Sequence, residues 1–269
     1  MLAPGLALLA LAFFVPVAQL LWLGFLVDHT PAGDTLTLKH YLRFFTDGYF
    51  LGVSERTLRL SLIITAITAA LGVPIAYVMA RVGPRWRLWL ILLTIVPLMT
   101  SVVVRTFGWL VILGRGGLLA TVLSGLGITN RNFTLMHTEW GVVIAQVQVL
   151  LPFMTLTLLG ALDRIDPRLE EAARTNGASF ARTLRHVTLP LALPGIVSGS
   201  LLVFALSASS FITPALVGGV RLPVLAGSIY QQTTTTLDWS FAAAQSTILL
   251  VAVLAITLPY IALAGRRHG

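Results

Sequence analysis

Long apolar runs alternate with short polar stretches along this 269-residue chain. A membrane-crossing helix needs about 20 mostly apolar residues, because each residue adds about 1.5 Å against a hydrocarbon layer of about 30 Å. Six stretches reach that length, approximately 2–27, 57–80, 88–113, 140–162, 191–217 and 245–264. The pattern predicts an all-α, polytopic membrane protein with six transmembrane helices in one domain, residues 1–269. Prolines interrupt the runs at Pro16, Pro74, Pro97, Pro152, Pro194, Pro214 and Pro259. Most are expected to kink a helix. The stretch "VPLMTSVVVRTFGW" (96–109), which combines Pro97, Thr100, Ser101 and Arg105, is the best candidate for opening the backbone at bilayer depth.

Composition strengthens this reading. The chain is 57% hydrophobic and 10% charged, with mean hydropathy +0.90. A water-soluble domain carries roughly a quarter charged residues, so lipid must be the solvent here. The opening stretch "MLAPGLALLALAFFVPVAQLLWLGFLV" has no basic leader, is too long for a signal-peptide core and ends in no small-x-small cleavage site. It is expected to stay as a membrane helix with only a very short tail before it.

The formal net charge is +8, carried by Lys39 and seventeen arginines. The arginines sit mostly between apolar runs, which fits topology and lipid headgroups better than nucleic acid. One set of loops holds Arg81, Arg85, Arg87, Arg164, Arg168, Arg174, Arg182, Arg185, Arg266 and Arg267. The other holds Lys39, Arg43, Arg56, Arg115, Arg131 and Arg221 over longer loops. The positive-inside rule puts the richer set, and both termini, in the cytoplasm.

That orientation makes residues 163–190 a cytoplasmic loop, although they read like part of a soluble protein. "DRIDPRLEEAARTNG" specifies a short helix. Asp166 suits the N-cap and Pro167 the first helical position. Glu170 and Glu171 favour the positive end of the helix dipole, and Gly177 suits the left-handed residue that ends a helix. Leu169, Ala172, Ala173 and Asn176 fall on one face at i, i+3, i+4 and i+7. Such a small, mildly apolar face suits either close approach by another protein or a bed of lipid headgroups.

Spacing within this loop carries a resemblance. Glu171-Ala172-Ala173, three residues, Gly177, nine residues, then Val187-x-Leu189-Pro190 is similar to the EAA signature of ATP-binding cassette importer permeases. The one departure is Val187, where the family pattern has isoleucine. Number and order of spans extend the resemblance over a core of about 55–260, and the chain resembles a type I importer permease. The resemblance implies that 163–190 is a coupling loop seated in a groove of a separate ATPase. It makes Leu169, Glu170, Glu171, Ala172, Ala173, Asn176 and Gly177 the candidate coupling residues. It further implies a bacterial inner-membrane location, a second, non-identical permease subunit, two ATPase subunits carrying ATP and Mg, and a periplasmic solute-binding protein.

Other chemistry is lacking. No phosphate-binding loop precedes Lys39, so ATP hydrolysis and its cofactors are not expected on this chain. Cysteine is absent, and His29, His40, His137, His186 and His268 are scattered without metal-ligand spacing. The spans contain no confidently placed acid, which counts against an ion-coupled secondary transporter. A membrane scaffold would not need the coupling segment.

For the cargo, "ALSASSFITPALVGG" and "LAGSIYQQ" resemble the spermidine/putrescine branch of these permeases. Related branches for ferric iron, sulfate, thiamine and phosphonate remain open. A polycation path should offer acids and aromatic faces. Glu139, Asp238 and Trp239 at the expected outer ends, with Trp109 and Tyr230, are the candidate path residues; an aromatic belt with ordinary loop acids would leave the same pattern. Arg105 would repel a polycation, so it is expected to face a loop carbonyl, an acid or the interface.

Overall fold

Inside a bilayer, backbone N–H and C=O groups must be satisfied within the chain, and a helix does so locally. The computed structural model describes residues 3–25 and 36–265, and these are all-α with no β-sheet among them. The outer ends of the first expected span, together with His29, Arg266, Arg267 and His268, lie outside the described residues. Twelve α-helices follow in order: α1 (Ala3–Leu23), α2 (Lys39–Thr46), α3 (Gly48–Arg81), α4 (Pro84–Ile95), α5 (Val102–Leu113), α6 (Leu118–Gly125), α7 (Glu139–Leu162), α8 (Pro167–Thr175), α9 (Phe180–Thr183), α10 (Leu189–Ala208), α11 (Leu225–Gln231) and α12 (Trp239–Gly265).

Among the described residues, five helical stretches are long and apolar enough to cross a membrane: Gly48–Arg81, Val102–Gly125, Glu139–Leu162, Phe180–Ala208 and Trp239–Pro259. Shorter apolar α1 precedes them. α7 sits at the centre, with 67% of its apolar window buried against 17–28% for the other four. α3 and α10 pack on it and on each other. Leu60, Ile64, Val143, Leu150, Met154 and Val203 form the main core, and Ala76, Leu158, Leu162, Ile165 and Ala192 extend it toward α8. Glycines let these helices close up, the small-residue packing typical of membranes. A Cβ at Gly195 would meet Ala161 Cβ at 2.3 Å, and one at Gly72 would meet Met154 Cγ at 2.7 Å. Large apolar side chains on α1, α4 and α5, such as Phe13, Trp89 and Phe107, remain exposed. An apolar exterior is what a lipid solvent demands.

Two expected spans are broken, and a third is longer than expected. Residues 88–113 do not form one helix. α4 tightens into a 3-10 turn at Val96–Met99, Thr100 and Ser101 are not helical, and α5 begins at Val102. Pro97 carries no N–H for the helical ladder, and Arg105 reaches back from α5 to carbonyls at the break. Its guanidinium donates to Thr100 O at 2.9 Å and also to Pro97 O. The arginine thus faces loop carbonyls, as electrostatics required. The stretch long and apolar enough to cross is then α5 with α6, 102–125, rather than 88–113. Similarly, 191–217 stops at Ala208, passes through Ser209 and Ser210, and resumes as a π-turn at Pro214–Gly218. The second span begins at Gly48, well before 57, because Asp47 caps it by accepting from Tyr49 N at 2.9 Å.

Candidate functional site

The hydrophilic loop folds as its local chemistry dictates. Asp166 Oδ1 accepts from Arg168 N at 2.9 Å, and Pro167 opens α8. Gly177 ends it at φ +82°, with its N–H on Arg174 O at 2.9 Å. Leu169, Glu171 and Ala172 are exposed, and Ala173 is half-buried. Asn176 is exposed too, but as the C-cap, where its Nδ2 donates back to Ala172 O at 2.9 Å. Beside this face a groove of about 350 Å³ opens between α8 and the segment after it, walled by Ala173, Asn176, Arg182, His186 and Val187.

Glu170 departs from the expected outward set. It is 5% exposed and points back into the protein. Oε1 accepts from Arg81 Nη2 at 2.8 Å, Arg81 Nε at 3.2 Å and Thr188 Oγ1 at 2.9 Å. Oε2 accepts from Tyr77 Oη at 3.0 Å. Burial alone would raise its pKa. The hydrogen bonds from Arg81, Thr188 and Tyr77, with the Arg81 charge, outweigh burial and hold the carboxyl below its ordinary 4.5. Glu170 therefore stays ionised. A second pair at this end joins Arg87 to Asp163.

At the other end of α3 the two candidate path acids are already engaged. Glu139 Oε1 lies 2.5 Å from Arg59 Nη2 and 3.9 Å from Arg56 Nε. Asp238 Oδ2 accepts from Arg43 Nη1 at 3.1 Å, and its Oδ1 caps α12 through Phe241 N at 3.0 Å. Arg43 also lies over the Phe241 ring, 4.2 Å from its centroid. Neither acid is a free carboxylate.

The aromatic candidates separate. Tyr230 is half-exposed and stacks on Phe211 with centroids 4.8 Å apart and planes at 19°. Phe211 lies in the break after α10. Buried Thr213 reaches from the same break to Thr106 of α5 at 3.2 Å. Trp109, one turn further along α5, donates to Gln148 Oε1 of α7 at 3.3 Å. Exposed Trp239 opens α12 beside Asp238. Sequence reasoning missed Tyr77, Arg81 and Thr188 around Glu170, and Phe211 beside Tyr230. Among the described residues no group of three or more His, Cys, Asp or Glu could hold a metal ion.

Residues 72–265, which contain α8 and all three helices of the core in whole or part, match the family described as binding-protein-dependent transport system inner membrane component. The chain belongs to this family. It is therefore a multi-pass permease subunit of the bacterial inner membrane. A similar relative, the spermidine/putrescine transport system permease protein PotB of Haemophilus influenzae, is 34% identical over 84% of this chain and 78% of its own. The PotB protein of Escherichia coli is 33% identical over 94% of this chain and 92% of its own. In fold the permease is similar to a chain of the bacterial alginate ABC transporter solved in complex with an alginate pentasaccharide-bound periplasmic protein. The TM-score is 0.81 at 18% identity, over 99% of this chain and 93% of the other.

Proposed function

We propose that this permease serves an ATP-driven importer of polyamines, spermidine or putrescine, and forms half of the path with a second, non-identical permease subunit. The observation that carries the coupling part is α8, a helix capped at both ends that presents Leu169, Glu171, Ala172 and the wall of Ala173 to solvent. A separate ATPase grips this face beside Gly177. Two ATPase subunits bind ATP and Mg, and a periplasmic binding protein delivers cargo on the opposite side. Arginine-rich loops keep residues 163–190 and both termini in the cytoplasm.

Polyamine as cargo is supported by the names of the relatives at 33% and 34% identity. Among the candidate path residues, Tyr230 on Phe211 offers a half-exposed aromatic wall suited to an alkylammonium. Trp109 lies along the same chain of contacts. Glu139, Asp238 and Trp239 mark the outer mouth, where the arginine-paired acids set local charge rather than bind cargo directly.

Reconstitution with its partner subunits tests both parts. Spermidine-loaded binding protein should stimulate ATP hydrolysis and uptake, while ferric, sulfate or thiamine loads should not; stimulation by one of those instead would end the polyamine reading. Ala173→Arg should prevent the ATPase from copurifying and cut uptake by roughly 100-fold, the scale of losing an interface hot spot. Normal copurification with normal uptake would rule out docking through this face.

A further inference from the structure

Glu170 raises a mechanical question. A helix held only by its two loops would swing when a partner pushed it, and little of that motion would reach the bilayer. α8 packs against the π-turn that leads into α10 and against α9. Its neighbour Glu171 faces solvent, whereas Glu170 reaches inward and is bonded by two further elements. Tyr77 and Arg81 form the last turns of α3. Thr188 is buried and immediately precedes α10. α3 and α10 are two of the three helices that make the core.

We infer that Glu170 is the positioning residue that ties the coupling helix to α3 and α10 together, so that a displacement of α8 moves both helices as one body. Glu170 touches neither nucleotide nor cargo. It acts through Arg81, Tyr77 and Thr188. A carboxylate suits the task because one group accepts four hydrogen bonds from three residues on different elements, and a charge-assisted bond to arginine is short and directional. The ring of Tyr77 packs edge-on against Phe180, with centroids 5.9 Å apart, which braces the same corner from α9.

This inference rests on α8 being the ATPase-contacting helix, and its test separates the two ideas. The chain has no cysteine, so one cysteine at exposed Ser209, beside the break after α10, is the single thiol this subunit carries, and labelling is read on its separated band. In the full assembly reconstituted in lipid vesicles, maleimide labelling at that position is measured with and without ATP and Mg, alongside ATP hydrolysis. The parent protein with Ser209→Cys should show a nucleotide-dependent labelling rate. Adding Glu170→Gln, which keeps the shape and removes the charge, should leave the ATPase bound and hydrolysing. The nucleotide dependence of labelling should fall at least about fivefold, the lower end of a typical coupling effect. Glu170→Asp should recover part of it, and Arg81→Gln should reproduce the loss. Unchanged nucleotide dependence in Glu170→Gln overturns the inference. So does a loss of hydrolysis and labelling response in equal proportion, in both Gln and Asp variants, because that is what a merely structural residue gives. Ala173→Arg is the control for the docking reading. Retained ATPase in that variant overturns docking, whatever Glu170 does.

Discussion

The two ends of α3 use the same pair of charges in different settings. Near its start, Arg59 meets Glu139 with half of the arginine side chain in solvent and a third of the glutamate. At its finish, Arg81 meets Glu170 with 18% and 7% exposed. The two arginines stand roughly 33 Å apart along the axis at 1.5 Å per residue, so the pairs lie at opposite ends of a membrane-length helix. The Arg59–Glu139 pair joins two elements and is open to salt and water. The Arg81–Glu170 pair joins α3, α8 and the entrance to α10, and its carboxylate accepts four hydrogen bonds, three on Oε1 and one on Oε2. Distance alone would rank the Arg59–Glu139 pair higher at 2.5 Å against 2.8 Å. Burial and number of partners reverse that ranking, since exposed pairs contribute little while a buried charge stripped of its partner is costly.

Truncation should expose the contrast most strongly. Glu170→Ala leaves Arg81 uncompensated beside the core and should destabilise the solubilised protein by about 3–5 kcal/mol in thermal or denaturant unfolding. Acidification should act at the same corner with a smaller effect, because a protonated glutamate still fills its space. Its folded pKa lies below 4.5, so its contribution is complete above that value and is lost as the pH falls below it and through the folded pKa. The acid-induced decline in melting temperature should therefore be shallower in Glu170→Gln than in the parent protein. At the Arg59 end of α3, Glu139→Gln should cost only about 0–1 kcal/mol, and 0.5 M salt should erase most of the difference. Asp238→Asn should be similarly mild in stability, since an asparagine can still cap α12. A loss at Glu139 equal to that at Glu170 would break the comparison.

Much of the fold was legible because lipid imposes a length rule on apolar runs, and α8 was legible because Asp166, Pro167 and Gly177 each demand a specific backbone position. The resemblance carried by Glu171-Ala172-Ala173 and Gly177 pointed to the family that residues 72–265 match. Breaks inside spans were partly legible. Pro97 marked one, but only the structure shows Arg105 closing it, and nothing local distinguishes the stop at Ala208 from an ordinary kink. The inward turn of Glu170 was not legible at all. Glu170 and Glu171 are adjacent and chemically identical, and a helix turns about 100° between them. Which one is buried depends on Arg81 and Tyr77, 89 and 93 residues away. The arginine partners of Glu139 and Asp238 were hidden for the same reason, since Arg59 and Arg43 reach them from distant parts of the chain.

One packing detail bears on how the core helices move past each other. Met154 of central α7 is fully buried, with Gly72 of α3 against its stem and Gly199 of α10 against its sulfur. An unbranched thioether between two bare stretches of backbone has no ridge to lift out of a groove and can bend as its neighbours slide. This close approach of three helices is thus free of branched side chains on the α3 and α10 sides, so tight packing there need not mean stiffness. A branched residue in place of Met154 would fill comparable space and act as a brake.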